Sequence, residues 1–331
     1  CANSAINDIA LTPAVKEMEG RQVTGFNLKV GGALGPAQPR LSVSLDVFLL
    51  PEDVVETCLC IVEIFRENGG REKRNTARLK FLIERWGIEG FREELQKRLG
   101  KTIERSVAHA GILDHVHLGI NPQKQEGLCF AGLYVPVGRL SAIQALELSR
   151  LAEDYGSGEI RLTHQQNVII PNIPMQRLEE FKKEGILKDM PLEPSPLMRN
   201  LVACTGNDYC SFALLESKGR AIELVRYLEE RFSIEEPLKI HFSGCPNSCG
   251  QHQIADIGLQ GVMVRVDGRL VDAVNIFIGG RAMKDARPAE KVFEKVPWSE
   301  APEMVGGLIK DYLEDKIGES SSGNTFGLKI H

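Results

Sequence analysis

The chain has no run of about 18 consecutive apolar residues, the length a helix needs to cross a bilayer, so it holds no membrane-spanning helix. Its start, Cys1-Ala2-Asn3-Ser4, lacks the basic stretch and apolar core of an export signal, so these residues are not expected to be a signal peptide. An initiator methionine is also missing, and the expectation is a processed or truncated chain. Excess positive charge is absent: 40 Lys and Arg against 45 Asp and Glu leave a net charge of −5, which argues against a general nucleic-acid binder. No flavin or nicotinamide motif is present. The pairs Gly31-Gly32 and Gly279-Gly280 are not followed by a dinucleotide fingerprint, so they read as tight turns or close packing.

What is present is ordinary in bulk. The 331 residues are 43% hydrophobic and 26% charged, enough for two or three small soluble domains. Eight cysteines occur: Cys1, Cys58, Cys60, Cys129, Cys204, Cys210, Cys245 and Cys249. A disulfide scaffold is short, loop-rich and secreted. A long chain with long helical patterns fits a reducing cytoplasm instead, with thiols free or on metal.

Val54, Val55, Cys58, Leu59, Val62 and Phe65 recur at helical spacing after Pro51-Glu52-Asp53, a good helix start. Gly69-Gly70 ends that helix, and further helical segments are expected at 71–85 and 88–99, followed by a connection over 101–120. From 128 the pattern becomes strand (128–137), helix (142–155) and two strands (159–163, 167–170), a β-α-β-β order that indicates a small α+β unit. Residues 189–196 read as a linker. A helix over 212–232, strands at 238–242, 257–266 and 271–278, a last helix at 300–317 and a flexible tail at 318–323 complete the reading.

An internal repeat is more informative. A shift of 248 positions places Cys1 on Cys249, Asp8 on Asp256, Ile9 on Ile257, Asn27 on Asn275 and Gly31-Gly32 on Gly279-Gly280, without a gap. Each copy leads into a helix that follows a proline, Pro51 or Pro297. The second copy has its own structure ahead of it, from Gly119 to Ser248, and the first has none. The expectation is that an equivalent upstream half is missing.

Cys204-Thr205-Gly206-Asn207-Asp208-Tyr209-Cys210 is a C-x5-C pair, and Cys245-Pro246-Asn247-Ser248-Cys249 is a C-x3-C pair. Four thiolates on glycine-flanked loops suit a soft metal. Structural zinc favours two tighter knuckles, whereas the wider loop and the proline after a ligand cysteine suit a four-iron cluster. Zinc and buried core thiols are the alternatives. Glycines 206, 244 and 250 would let backbone amides approach the sulfurs.

The chain resembles the nitrite and sulfite reductase family. The likeness lies in Ala203-Cys204-Thr205-Gly206-Asn207 and Ser243-Gly244-Cys245-Pro246-Asn247-Ser248-Cys249. It lies also in Asn121-Pro122-Gln123-Lys124-Gln125-Glu126-Gly127 and in Glu159-Ile160-Arg161-Leu162-Thr163 with Gln166-Asn167. It runs from about residue 7 to about residue 317 and is greatest to the ferredoxin-dependent nitrite reductase branch. The resemblance implies an α+β fold of repeated modules: the C-terminal part of a degenerate first repeat (1–115), a ferredoxin-like half-domain (116–190) and a sirohaem and [4Fe–4S] domain (191–331). It implies Cys204, Cys210, Cys245 and Cys249 as cluster ligands, with Cys249 also the axial, bridging ligand of sirohaem, and Arg161 and Asn247 as cofactor contacts. The basic residues that hold the substrate anion in this family lie in the first half, part of them just upstream of the segment matching Cys1. A fragment without them is expected to show little or no catalysis.

Other residues carry weaker readings. Arg71, Lys73, Arg74, Arg78 and Lys80 form a basic run that fits a solvated helix face, sirohaem carboxylates or an acidic ferredoxin. Cys58 and Cys60 point apart on a helix and read as packing, as does Cys129 in an apolar strand. Cys1 matches a bridging cysteine only by repeat. His109, His115 and His117 read as surface residues, and His241 and His252 flank the C-x3-C loop near the expected cofactor.

The functional expectation is six-electron reduction of nitrite to ammonium with reduced ferredoxin as donor. Ferredoxin-dependent sulfite reduction is the near alternative, an electron-transfer module without sirohaem a different class, and a zinc-stabilised module a third. The full-length protein is expected to be a monomer without nucleic-acid or membrane partners, in the cytoplasm or plastid stroma.

Overall fold

The computed structural model describes residues 3–36, 38–108, 117–283 and 285–318. Cys1, His109 and His115 lie outside them, as does the tail beyond residue 318. The chain divides into two compact units, Cys1–Asp114 with Gly280–Pro288 and His115–Gly279 with Ala289–His331.

The first unit is a three-stranded antiparallel meander of β1 (Ile9–Met18), β2 (Arg21–Val30) and β3 (Val43–Leu49), followed by α1 (Val54–Asn68) and α2 (Leu79–Leu99). Leu28, Val30, Leu45, Val47 and Leu49 from the sheet pack with Ile61, Ile64, Leu82, Phe91 and Leu95 from the helices. α1 forms where the spacing predicts a helix, but it buries Thr57, Cys60, Ile61 and Ile64. The Val55, Leu59 and Val62 side of the apolar stripe is exposed. Both faces of this helix carry apolar residues, so periodicity alone does not select the buried one. The helix expected from residue 71 begins at Leu79. Asn75 and Thr76 are weak helix formers, and Thr76 Oγ1 donates to the Lys73 carbonyl at 3.0 Å, holding a short 3-10 turn. Gly87, at φ 73° and ψ 166°, breaks α2 between the two segments the sequence separates.

The second unit opens with β4 (Gly119–Pro122), β5 (Leu128–Leu133), α3 (Ala142–Tyr155), β6 (Arg161–Leu162), β7 (Val168–Pro174) and α4 (Leu178–Phe181). The strands form an antiparallel sheet in the order β4-β5-β7-β6. α3 starts at a capping box, with Ser141 Oγ accepting from the Gln144 amide and Gln144 Oε1 from the Ser141 amide. It buries Leu148, Leu151, Ala152 and Tyr155. The strand expected over 128–137 stops at Leu133, because Pro136 and Val137 (φ 45°) form a 3-10 turn.

A second sheet follows: β8 (Leu201–Ala203), α5 (Lys218–Glu229), β9 (Ile240–Ser243), β10 (Ile257–Val266), β11 (Arg269–Ile278), β12 (Glu290–Pro297) and α6 (Ala301–Gly318). The order is β12-β11-β10-β9-β8, with β8, β9 and β10 parallel and the rest antiparallel. α5 is the crossover between β8 and β9, and its Ala221, Leu224, Val225 and Leu228 pack on Phe242, Ile276 and Ile309. It begins at Lys218 rather than near residue 212. The carboxylate of Glu216 caps its first turn, accepting from the amides of Lys218 (2.7 Å), Gly219 (2.9 Å) and Arg220 (3.2 Å).

The internal repeat is carried by the backbone. β10 and β11 have the bounds of β1 and β2 shifted by 248. Both hairpins turn through two left-handed residues, Glu19-Gly20 (φ 51° and 74°) and Asp267-Gly268 (φ 50° and 78°), the geometry that matches strand twist. Gly31 donates its amide to Asp8 O at 2.9 Å, and Gly279 donates to Asp256 O at 2.9 Å. Gly31 and Gly279 have φ of 80° and 77°, so they are turn glycines. A Cβ on Gly32 would meet the Ala5 oxygen at 2.7 Å, so Gly32 serves close packing.

Candidate metal centre

β8 ends at Ala203 and β9 at Ser243, so Cys204 and Cys245 leave the carboxyl ends of two neighbouring parallel strands. The ladder extends one step further, with the Cys204 amide donating to Phe242 O at 2.9 Å. That topology brings two loops, distant in sequence, into the crevice where parallel sheets place their ligands. Cys204, Cys210, Cys245 and Cys249 line one cavity of about 380 Å³, together with Gly206, Tyr209, Phe212, Gly244 and Asn247. Cys245 is buried, Cys204 and Cys210 are half-buried, and Cys249 is exposed.

Backbone and side-chain hydrogen bonds hold the first ligand. The Gly244 amide donates to Cys204 Sγ at 3.0 Å. Ser217 Oγ donates to the Cys204 carbonyl at 2.8 Å and lies 3.4 Å from its sulfur. Of the three glycines expected to approach sulfur, Gly244 donates to one, whereas the Gly250 amide goes to Ser243 Oγ at 3.1 Å. Gly206, at φ 73°, allows close passage of Ser217, whose nitrogen would lie 2.8 Å from a Cβ. Although the residue as a whole is exposed, partial desolvation of its sulfur raises the Cys249 thiol pKa, and the nearby Cys204, Cys245 and Cys210 raise it further. Four sulfurs close enough to repel as thiolates need a cation to neutralise them.

The donor set fits a cluster better than a single ion. A zinc ion requires its thiolates within about 2.3 Å of one point. Here the four cysteines are spread around a cavity of about 380 Å³. Four soft donors around a cavity suit a larger iron–sulfur group. The exposed Cys249 lies beside Tyr209 and Phe212, which are 83% and 73% exposed. Exposed aromatic side chains around an accessible thiol fit a haem-type group.

The motif residues upstream take positioning roles. Gln166, in a left-handed conformation (φ 64°), donates Nε2–H to Ala203 O at 2.7 Å and accepts the Ala203 amide at 3.3 Å. It thus clasps the residue before Cys204. Asn167 accepts the Val135 amide at 3.0 Å. Arg161 is exposed on β6 and pairs with Glu159 at 2.7 Å; it does not line the cavity. Arg139 reaches into the C-x5-C loop and pairs with Asp208 at 2.7 Å.

His241 and His252 lie under the C-x3-C loop rather than in the cavity. His241 Nδ1 is 3.2 Å from Gln251 O, and His252 Nδ1 is 3.0 Å from Ser243 Oγ. Burial lowers their pKa values to about 4 and about 3. Cys60 and Cys129 are buried, the latter donating to Ile173 O. The basic run is not a helix face: Arg71, Lys73 and Arg74 are exposed ahead of α2, Arg78 pairs with Asp8 at 2.6 Å, and Lys80 is buried with Nζ donating to Gln38 O. Sequence reasoning missed Ser217, Lys218 and Arg139. Ser217 and Arg139 reach the ligand loop, and Lys218 reaches Val137, only through folding, and no spacing announces them.

Comparison with known proteins places the chain. The model of the nitrite and sulphite reductase 4Fe-4S domain matches residues 1–103 and 195–320, and that of the nitrite/sulfite reductase ferredoxin-like half domain matches 121–185. The chain is 42% identical over 312 residues to the chloroplastic ferredoxin–nitrite reductase of Zea mays, covering 92% of this chain and 54% of that one. It is 38% identical to the assimilatory ferredoxin-dependent nitrite reductase of Haloferax mediterranei, covering 98% and 58%. It superposes on the Mycobacterium tuberculosis NirA protein with a TM-score of 0.87 at 31% identity, over 98% of this chain and 59% of that one. The chain thus spans little more than half the length of these relatives. With the 4Fe-4S model matching both copies of the repeat, the chain belongs to the nitrite and sulphite reductase family.

Proposed function

We propose that the chain supplies the cluster-holding part of a ferredoxin-dependent nitrite reductase, which reduces nitrite to ammonium with six electrons. The observation that carries this reading is the convergence of Cys204, Cys210, Cys245 and Cys249 on one cavity. In this reading the four thiolates hold a [4Fe–4S] cluster, and Cys249 also ligates sirohaem. Asn247, on the cavity wall, and Arg161 are proposed sirohaem contacts. When bound, the two groups supply a one-electron relay and an iron site open to the substrate anion.

The chain's own residues orient and insulate. Gly244 and Ser217 fix Cys204, Gln166 holds the strand that delivers it, and Arg139 steadies the loop to Cys210. In this reading residues 1–115, 116–190 and 191–331 are three segments of a monomeric, cytoplasmic or stromal enzyme. No helix among the described residues is long and apolar enough to cross a membrane. Reduced ferredoxin is the proposed donor, and nitrite is favoured over sulfite because the relatives above are named nitrite reductases.

The test is the full-length parent, made anaerobically in a host that synthesises sirohaem and assayed for ammonium from nitrite with reduced ferredoxin. Nitrite turnover that is lost in Cys249→Ser supports the reading. Turnover of sulfite alone reassigns the substrate, and folded protein without iron or sirohaem overturns the reading.

A further inference from the structure

Lys218 is a buried cation with no buried anion beside it. Its side chain sits at the first position of α5, the residue is 9% exposed, and its ammonium donates to the carbonyl of Val137, itself 2% exposed. Among the described residues it makes no ion pair. The adjacent half-buried carboxylate of Glu216 accepts from three backbone amides and lies 4.0 Å from Arg139. Arg139, the other nearby cation, is paired with Asp208. An ammonium shut off from water without a counter-ion is costly.

The residue follows directly on one that touches the ligand set. Ser217, the preceding residue, touches both the carbonyl and the sulfur of Cys204. Burial lowers the Lys218 pKa, Arg139 lowers it further, and Cys204 followed by Glu216 raises it. Cys204 is thus the foremost negative neighbour of Lys218, ahead of Glu216, whose carboxylate is held at the helix start.

We infer that Lys218 is the built-in counter-charge of the group held by the four cysteines, and that it makes this group easier to reduce. This rests on the reading of the cavity as a cluster site. A cluster with four thiolates is net negative and becomes more so on accepting an electron. A fixed positive charge across a water-poor interior stabilises the reduced form more than the oxidised form. Lys218 acts through the field and touches no substrate, so it is a tuning residue.

The test uses the full chain, reconstituted anaerobically with iron and sulfide. Lys218→Gln removes the charge and keeps an N–H donor for Val137; Lys218→Arg keeps the charge. Iron content tests the cluster reading, and the midpoint potential from an EPR-monitored redox titration tests the inference. The expected result is full iron in all three proteins, a more negative potential in Lys218→Gln, and a near-wild-type potential in Lys218→Arg. An unchanged potential in Lys218→Gln overturns the inference and leaves the cluster reading intact. If Lys218→Gln takes up no cluster, Lys218→Arg decides: restored uptake supports a need for the charge, and continued failure reduces Lys218 to a packing residue.

Discussion

The Gly244 amide donates to the Cys204 sulfur at 3.0 Å, so the loop that carries Cys245 and Cys249 is tied to the first thiol through backbone alone. A Cβ at Gly244 would lie 2.9 Å from Leu215 O and 3.3 Å from Ala213 Cβ. Gly244→Ala is expected to cost about 1–3 kcal/mol by overpacking and to lower iron uptake. Urea denaturation and iron analysis on the same preparation measure both effects.

Gln166 mimics a strand partner for Ala203 with its side-chain amide. Gln166→Ala removes both bonds and is expected to destabilise the second unit by about 1–3 kcal/mol. Gln166→Glu keeps the acceptor, loses the donor and should fall between. Trp298 stacks on Phe242, with ring centroids 5.7 Å apart, so its fluorescence in a Trp86→Phe background follows unfolding of this unit.

The repeat makes a paired prediction. Gly31 and Gly279 sit at φ of 80° and 77° in equivalent turns. Alanine at either position is expected to cost about 1–2 kcal/mol, the usual penalty of the left-handed region. The contact Gly279–Asp256 has the length of Gly31–Asp8, so similar losses in thermal unfolding are expected in the two units.

Acid should weaken the second unit. Burial holds the folded pKa of His241 at about 4 and of His252 at about 3, below the ordinary value of 6.5. Both are neutral when folded and take up protons when unfolded. Their contribution is complete above about pH 6.5 and is lost as pH falls toward 3 to 4, on the order of 3 kcal/mol for His241 and 5 kcal/mol for His252. The urea midpoint of the metal-free chain, read by Trp298, should fall steeply between pH 7 and pH 4.5. His252→Asn should flatten that dependence.

Much of the fold is legible in the sequence where a local rule applies. The 142–155 helix has its capping box, and the repeat at 248 survives as identical hairpin bounds. The four cysteines are legible because soft-metal chemistry restricts residue type and spacing. What was not legible depends on tertiary contact. Residues 71–78 have helical composition but lose the helix to a Thr76 side-chain bond. α1 has two apolar faces, and only packing decides that Ile61 and Ile64 go inward. Lys218 reads as a surface lysine until the crossover from β8 to β9 buries it.

The central claim is that the cavity of Cys204, Cys210, Cys245 and Cys249 holds a four-iron cluster. The most direct measurement is the EPR spectrum of the reduced chain after anaerobic reconstitution, for alanine variants of the seven cysteines from Cys58 to Cys249. The account predicts a four-iron signal in wild type that survives at Cys58, Cys60 and Cys129 and is abolished at Cys204, Cys210 and Cys245, with Cys249→Ala losing or altering it. A signal that persists without Cys204, or that disappears with Cys58, would contradict the account.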